Sequence, residues 1–182
     1  MIADIDTSIS YRKLFNSFGL ELDDQGTLLK DHFSNHEDST IISTRNYDMI
    51  APFFSGEHHK QPLIYKGLGM SLVNYENYQL FNLVQAEHTT FSKNYNTGQA
   101  IKAGTTISLV TGVQGLNNAR ALLVGSLYFF SNQALQEEQY GNKNAVANLI
   151  KWTFRETGVI RVKSMTYHGE GVDHKETLFN VG

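Results

Sequence analysis

Apolar positions recur with a helical period at two places in this chain and with a strand-like spacing at several others. Tyr11, Leu14, Phe15 and Phe18 fall at i, i+3, i+4 and i+7, one helical face. The spacing predicts a helix over Ser10–Gly19, with Ser10 as N-cap and Gly19 just past the end. The stronger pattern covers 143–158. There Val146, Leu149, Ile150, Thr153 and Phe154 share a stripe, and Gly158 supplies the stop. Trp152, beside the stripe, reads as core.

The remaining apolar runs read as strands. "MIADI" (1–5) is a short strand that begins at the first residue. "GLELDDQGTLLKDHF" (19–33) alternates loosely, as a strand or hairpin, and "STIISTR" (39–45) is a short buried strand. "APFFSGEHHKQ" (51–61) is a turn-rich loop. "PLIYKGLGMSLV" (62–73) is a strand with Pro62 at its first position, and 78–91 fits helix or strand. "TTISLVTGV" (105–113) is β-branched and apolar, Gly112 and Gly115 open a turn, and "RALLVGS" (120–126) is a second apolar strand. "VIRVKSMTY" (159–167) alternates with period two, and 168–182 is a polar tail. Strands separated by helices, with apolar rather than alternating interiors, predict an α/β layer fold with a largely parallel sheet.

Composition narrows this picture. The 182 residues suit one domain, and 41% hydrophobic against 18% charged is a globular balance. A net charge of −3 gives no basic footprint for nucleic acid. The absence of cysteine removes disulfides, thiolate metal sites and cysteine nucleophiles. Apolar runs are too short to span a bilayer, and the acidic N-terminus does not read as a signal peptide. On these grounds the chain is expected to be soluble.

Few residue patterns carry chemistry. Ser126 follows an apolar strand and Gly125, where α/β enzymes place a nucleophile or a phosphate. "LLVGSLY" lacks the glycine two residues after the serine that a hydrolase elbow has, and the plainer reading is a Gly-Ser turn capping "LYFFSN". His32 and His36, with Asp31, Glu37 and Asp38 beside them, could hold a divalent metal if they shared a helix face. Phe33, Ser34 and Asn35 make a poor helix, so a solvated loop is the expectation there and at His58–His59. Gly67 and Gly69 in "GLGMSL" are a weak phosphate signal, and close backbone approach is preferred. "VTGVQGLNNAR" is either an anion-binding turn beside Arg120 or a tight β–β connection. Arg155, Glu156 and Arg161 read as surface pairs. The residues alone nominate no catalytic, cofactor-binding or metal-binding set.

Two stretches resemble a known family. "GVQGLNNARALLVGSLYFFSN" (112–132) is similar to that family's asparagine-asparagine-alanine-arginine, strand, serine-glycine-serine and phenylalanine-phenylalanine-serine run. "WTFRETGVIRV" (152–162) resembles its tryptophan-x-phenylalanine-(lysine/arginine)-glutamate-x-glycine segment. "DIDTSISYRKLFNSFGLELDDQGTLLKDHF" and "PLIYKGLGMSL" agree more loosely. The family is the beta, forty-eight-kilodalton-type subunit of dolichyl-diphosphooligosaccharide–protein glycosyltransferase, the oligosaccharyltransferase of the endoplasmic reticulum.

The resemblance implies a Rossmann-like, glutamine-amidotransferase-like layered sheet with flanking helices. It implies a non-catalytic structural part of a complex that moves a glycan from a dolichol carrier to asparagine, with no cofactor. Partners would be the other subunits, including the catalytic one, with no nucleic acid and membrane contact only through the complex or a C-terminal anchor. Residues 1–168 would be a partial luminal domain, and 169–182 a polar tail or the start of a β-rich region. Family members carry a signal peptide and a further strand–helix–strand at the front, and a β-rich region and transmembrane helix at the back. The chain is therefore expected to be truncated at both ends, with "MIADI" exposed or a sheet edge unpaired, and with poor solubility in isolation. The competing reading is a small soluble α/β hydrolase or ligand-binding domain that uses the Gly125–Ser126 turn.

Overall fold

The computed structural model describes residues 1–47, 61–73, 78–160, 162 and 164. In chain order the elements are α1 (Ile9–Ser17), β1 (Leu20–Leu22), β2 (Thr27–Lys30), β3 (Asn35–His36), β4 (Asp38–Thr44), β5 (Leu63–Tyr65), β6 (Met70–Leu72) and β7 (Tyr78–Gln85). There follow β8 (Phe91–Asn94), β9 (Ala100–Ala103), β10 (Ser108–Gly115), β11 (Arg120–Val124), α2 (Asn132–Gln136) and α3 (Asn142–Thr153). They build three sheets. The main one runs β1-β6-β10-β11, with β7 also paired to β10; the others are β2-β8-β9 and β3-β4-β5.

The expected parallel sheet is corrected. Every pairing between these strands is antiparallel. A parallel pair needs a crossover of about a dozen residues or more, whereas β10 turns into β11 over 116–119 and β8 into β9 over 95–99. The apolar interiors that suggested parallel strands have another cause. The first six residues of β10 are all buried, because the main sheet is covered on both faces. One face holds Leu122, Val124, Leu149 and Trp152; the other holds Ala3, Phe15, Leu20, Met70, Val113 and Leu123. A register shift between Ser108 and Val110 lets the consecutive Leu109 and Val110 join the same cluster.

Other expectations moved by a few residues. Helix α1 is capped by Ser8 rather than Ser10: Ser8 is extended and its hydroxyl accepts from the Tyr11 amide. Only Phe15 of its face is fully buried, and Leu14 is largely exposed. Residues 19–33 and 62–73 each form two strands, placed in different sheets, so neither is one strand or a local hairpin. Residues 78–85 are strand. Gly112 lies inside β10, before the turn. Helix α3 ends at Thr153, and its buried side is Ala145, Val146, Leu149 and Trp152, while Ile150 and Phe154 face solvent. Trp152 is core, as expected. Residues 159, 160, 162 and 164 belong to no strand, which corrects the front of the 159–167 strand. The 51–60 loop, His58–His59 and the 168–182 tail lie outside the described residues.

The N-terminal segment covers an edge. The Ala3 amide donates to the Val124 carbonyl at 2.8 Å, and Val124 donates to Met1 at 3.1 Å. Ile2 and Val124 form a parallel bridge, and Ala3 is buried. The outer edge of β11 is therefore paired over these residues rather than open.

Candidate functional site

The stretch around Gly67–Gly69 meets the stretch around Gly125–Ser126 backbone to backbone. The Leu68 amide donates to the Gly125 carbonyl at 2.8 Å, and the Leu29 amide to Gly67 at 3.1 Å. A Cβ at Gly67 would sit 2.2 Å from the Gly125 oxygen, and one at Gly125 would sit 2.5 Å from the Leu68 oxygen. Contact this close admits only glycine and leaves no gap for a phosphate. The buried Tyr65 hydroxyl donates to the Leu68 carbonyl at 2.7 Å. Burial pushes that phenol well above its ordinary pKa, so it stays a donor.

Ser126 is fully buried at this crossing. Its hydroxyl donates to the Lys66 carbonyl at 2.6 Å and accepts from the Phe129 amide at 3.1 Å. A serine nucleophile gives its proton to a side-chain base; here the proton is held by a main-chain carbonyl. The hydrolase reading of Gly125–Ser126 is corrected to a cap on the short 3₁₀ turn Tyr128–Phe130. Ser131 repeats the device by accepting from Ala134 at the start of α2.

Arg120 is also committed. Its guanidinium donates to the carbonyls of Trp152 and Thr157 at 2.9 Å and of Gly158 at 2.5 Å. It lies 5.0 Å from the centre of the Trp152 ring. These carbonyls cluster at the C-terminus of α3, where unpaired oxygens and the helix dipole favour a cation. Burial lowers the Arg120 pKa, helped by nearby Arg155, yet a guanidinium remains charged. The neighbouring turn is closed by its own groups. Gly115 donates to Ala119, Asn118 to Gly115, and the Ala119 amide to the Asn117 side chain. Asn118 takes a left-handed φ of 61°. Of the two readings of "VTGVQGLNNAR", the tight β–β connection holds and the anion site does not. Through Arg120, residues 112–132 and 152–162 are clasped together.

The histidine pair does not converge. Residues 35–36 are strand, so no helix face joins His32 to His36. His32 lies against Phe91, with ring centres 5.7 Å apart. His36 Nδ1 is 3.1 Å from the Tyr140 hydroxyl, and its Nε2 is 3.7 Å from Glu37 and from Glu137. Beside that cluster an open cavity of about 590 Å³ is lined by Gln61, Glu137, Glu138 and Lys143. Among the described residues no group of three or more potential ligands is placed to hold a metal.

Asp31 has a different role from the one its neighbours suggested. Its buried carboxylate accepts from the amides of Phe33 and Ser34, both at 2.8 Å, and from the hydroxyls of Thr89 (2.7 Å) and Thr90 (2.8 Å). Burial, the largest single influence, would raise its pKa; the four hydrogen bonds together outweigh it and hold the carboxyl below its ordinary value. Spacing could not reveal this group, because half of its partners lie far along the chain. The same holds for Asp23, buried 3.0 Å from Lys102, whose ammonium also donates to Ser71 at 2.7 Å. Asn142 is a third case: its amide accepts from the Ile64 amide and donates to the Ile64 carbonyl, both at 2.9 Å, like one more rung of a sheet.

Beyond the carboxyl ends of the parallel pair at Ile2 and Val124 lies an open cavity of about 630 Å³. Asp4, Asp6, Thr7, Ser8, Tyr11 and Leu127 line it; Ser126 is not in its wall. Among the described residues no helix is long and apolar enough to cross a membrane.

Comparison with known proteins agrees with the motif stretches. The family described as "OST48, N-terminal domain" matches residues 1–156. The 48 kDa subunit of dolichyl-diphosphooligosaccharide–protein glycosyltransferase from Danio rerio is 30% identical over 201 aligned positions, covering 98% of this chain and 45% of that protein. The Drosophila melanogaster subunit is 31% identical, covering 88% and 40%. The Caenorhabditis elegans subunit is 28% identical, with the same coverage. The chain thus spans under half the length of these relatives. In fold it is similar to the mmIFT52 N-terminal domain, with a TM-score of 0.59 at 11% identity over 84% of this chain and 60% of that one. Matched along 1–156, including the Arg120 stretch and the α3 end that it clasps, the chain belongs to the OST48 N-terminal domain family.

Proposed function

We propose that this chain is a non-catalytic structural domain of the oligosaccharyltransferase complex, in protein N-linked glycosylation. Its partners are the other subunits, and transfer of the dolichol-linked glycan takes place in one of them. It works on the luminal side of the endoplasmic reticulum membrane, with residues 1–168 as the domain. The observation that carries this is the family match over 1–156, within a chain where the named polar groups serve the fold. Ser126 caps a turn, Arg120 clasps a helix end and Asp31 holds a loop. The Rossmann-like layering that the resemblance implies belongs to the proposal too. Its local support is the parallel Ile2–Val124 bridge, with α1 following one partner and α2 and α3 the other.

The test is co-purification of the natural product of the full locus with the other complex subunits from solubilised membranes. Recovery with them is expected. A cytosolic product free of those partners would refute the proposal.

A further inference from the structure

A second polar device in this fold presents a side chain instead of burying one. Asp31 fixes the tip that follows β2 by accepting from Phe33 and Ser34, while its own amide donates to Ser39 at 2.8 Å. The Asn35 side chain donates to the Asp31 carbonyl at 3.0 Å, and Ser43 donates to Ser34 at 2.8 Å. On this braced tip Phe33 is 84% exposed. A phenylalanine carried on a hydrogen-bonded backbone and open to water suits an interaction anchor: large apolar area, with the backbone part of its ordering cost already met.

The tip continues onto one face of β2 and β8, where Lys30 lies across from Phe91 and Leu28 across from Lys93, on the side opposite Leu29 and Ser92. Leu28 is buried, and the accessible part of this face is the half-buried Lys30, Phe91 and Lys93. His32 stacks near Phe91, and the Lys30 ammonium lies 5.2 Å from the centre of the Tyr95 ring, itself half exposed. A contiguous path therefore runs Tyr95, Lys30, Phe91, His32, Phe33. Its charge is of one sign. Lys30 and Lys93 pair with no carboxylate among the described residues, while the third lysine of this sheet, Lys102, points inward to Asp23. Nearby acids are engaged elsewhere: Asp31 in the tip, Asp23 with Lys102, Asp38 with the Thr40 amide and hydroxyl, and Asp24 with Arg12, whose pKa burial lowers and Asp24 partly restores.

We propose that the Phe33 tip and the Lys30–Lys93 face form a docking surface for an acidic segment of another protein that also carries apolar side chains. The lysines supply charge complementarity and Phe33 the buried anchor. A second copy fits poorly, because a twofold contact would set the lysines against themselves. An anionic bilayer fits poorly, because basic membrane contacts use clusters of about four to eight cations, and this face presents the two lysines Lys30 and Lys93. The inference rests on the structural-subunit reading for its context, not for its geometry.

The experiment places a photocrosslinker by Phe33→p-benzoylphenylalanine in the full-locus product, in its own cells, with Lys143→p-benzoylphenylalanine on α3 as control. Adducts are sequenced. The expected result is an adduct at position 33 to an acidic, apolar-bearing segment of another polypeptide. Its yield should fall roughly fivefold or more with Lys30→Glu plus Lys93→Glu, and the melting temperature of that double variant verifies folding. An adduct to lipid or to a second copy, no adduct, or a yield indifferent to the charge reversal would overturn the docking surface. Failure of the two proposals is distinguishable. Co-purification without a crosslink at 33 removes only the surface; a crosslink to an acidic segment outside the complex removes only the assignment to oligosaccharyltransferase.

Discussion

The Gly67–Gly125 crossing and the Asp31 tip are both held by buried hydrogen bonds, but they face opposite ways. At the crossing two backbones touch, the serine hydroxyl is enclosed, and nothing is offered to solvent. At the tip a buried carboxylate gathers four donors, and the result is an aromatic ring held in water. A serine after an apolar strand suggested chemistry, yet the site it occupies is architecture. An aspartate beside histidines suggested a metal, yet it supports a surface. Residue type alone does not separate these uses; the direction in which the hydrogen bonds point does.

Substitutions sharpen that contrast. The largest effect is expected at the crossing. Gly67→Ala drives a methyl into the Gly125 carbonyl and should cost more than about 4 kcal/mol, seen in urea unfolding or as loss of the folded state. Asp31→Asn should cost about 3 kcal/mol, because an amide cannot accept from every donor around it. The pH dependence has a definite sign. The folded-state pKa of Asp31 is depressed, so its contribution is complete above the unfolded value of about 3.9 and is lost as pH falls through the folded value. Acidification below about pH 4 should therefore destabilise the parent more steeply than Asp31→Asn.

Arg120→Met keeps much of the side-chain length but abandons three carbonyls and the indole face. A loss of about 2 kcal/mol is expected, with faster amide exchange at the end of α3. Phe33→Ser should change stability by about 0.5 kcal/mol or less, since the ring is mostly in water. A loss near that of Asp31→Asn would mean that the ring packs inward and that the tip presents nothing.

Parts of this molecule were legible in its sequence. The period at Val146 and Leu149 located α3, and Gly19 takes a left-handed φ just beyond α1. Gly158 is not the stop of α3, which ends at Thr153 with Arg155 in the left-handed position at φ 61°. The strands at 39–45 and 120–126 appeared nearly where expected. Strand direction was not legible, because burial on two faces produces the same apolar run in parallel and antiparallel sheets, as β10 demonstrates. The α3 stripe held at Val146 and Leu149, with Trp152 in the core as expected, but Ile150 and Phe154 face solvent, Phe154 lying just past the end of the helix at Thr153. Of the candidate groups, Ser126 and the glycines Gly67 and Gly125 sit in turn and close-approach chemistry that a local sequence shows. The Asp23–Lys102 pair and the Asn142 rung join distant segments through single side chains, and no local pattern encodes that.

The most direct measurement is the rate of glycan transfer per assembled complex, with Ser126→Ala in the full-locus subunit and assembly quantified in the same sample. A serine that only caps a turn predicts an unchanged rate per complex, with whatever loss there is appearing as less folded subunit. A tenfold or larger fall in rate, on the order expected for a group that takes part in proton transfer, with assembly intact, would contradict the structural role of this domain.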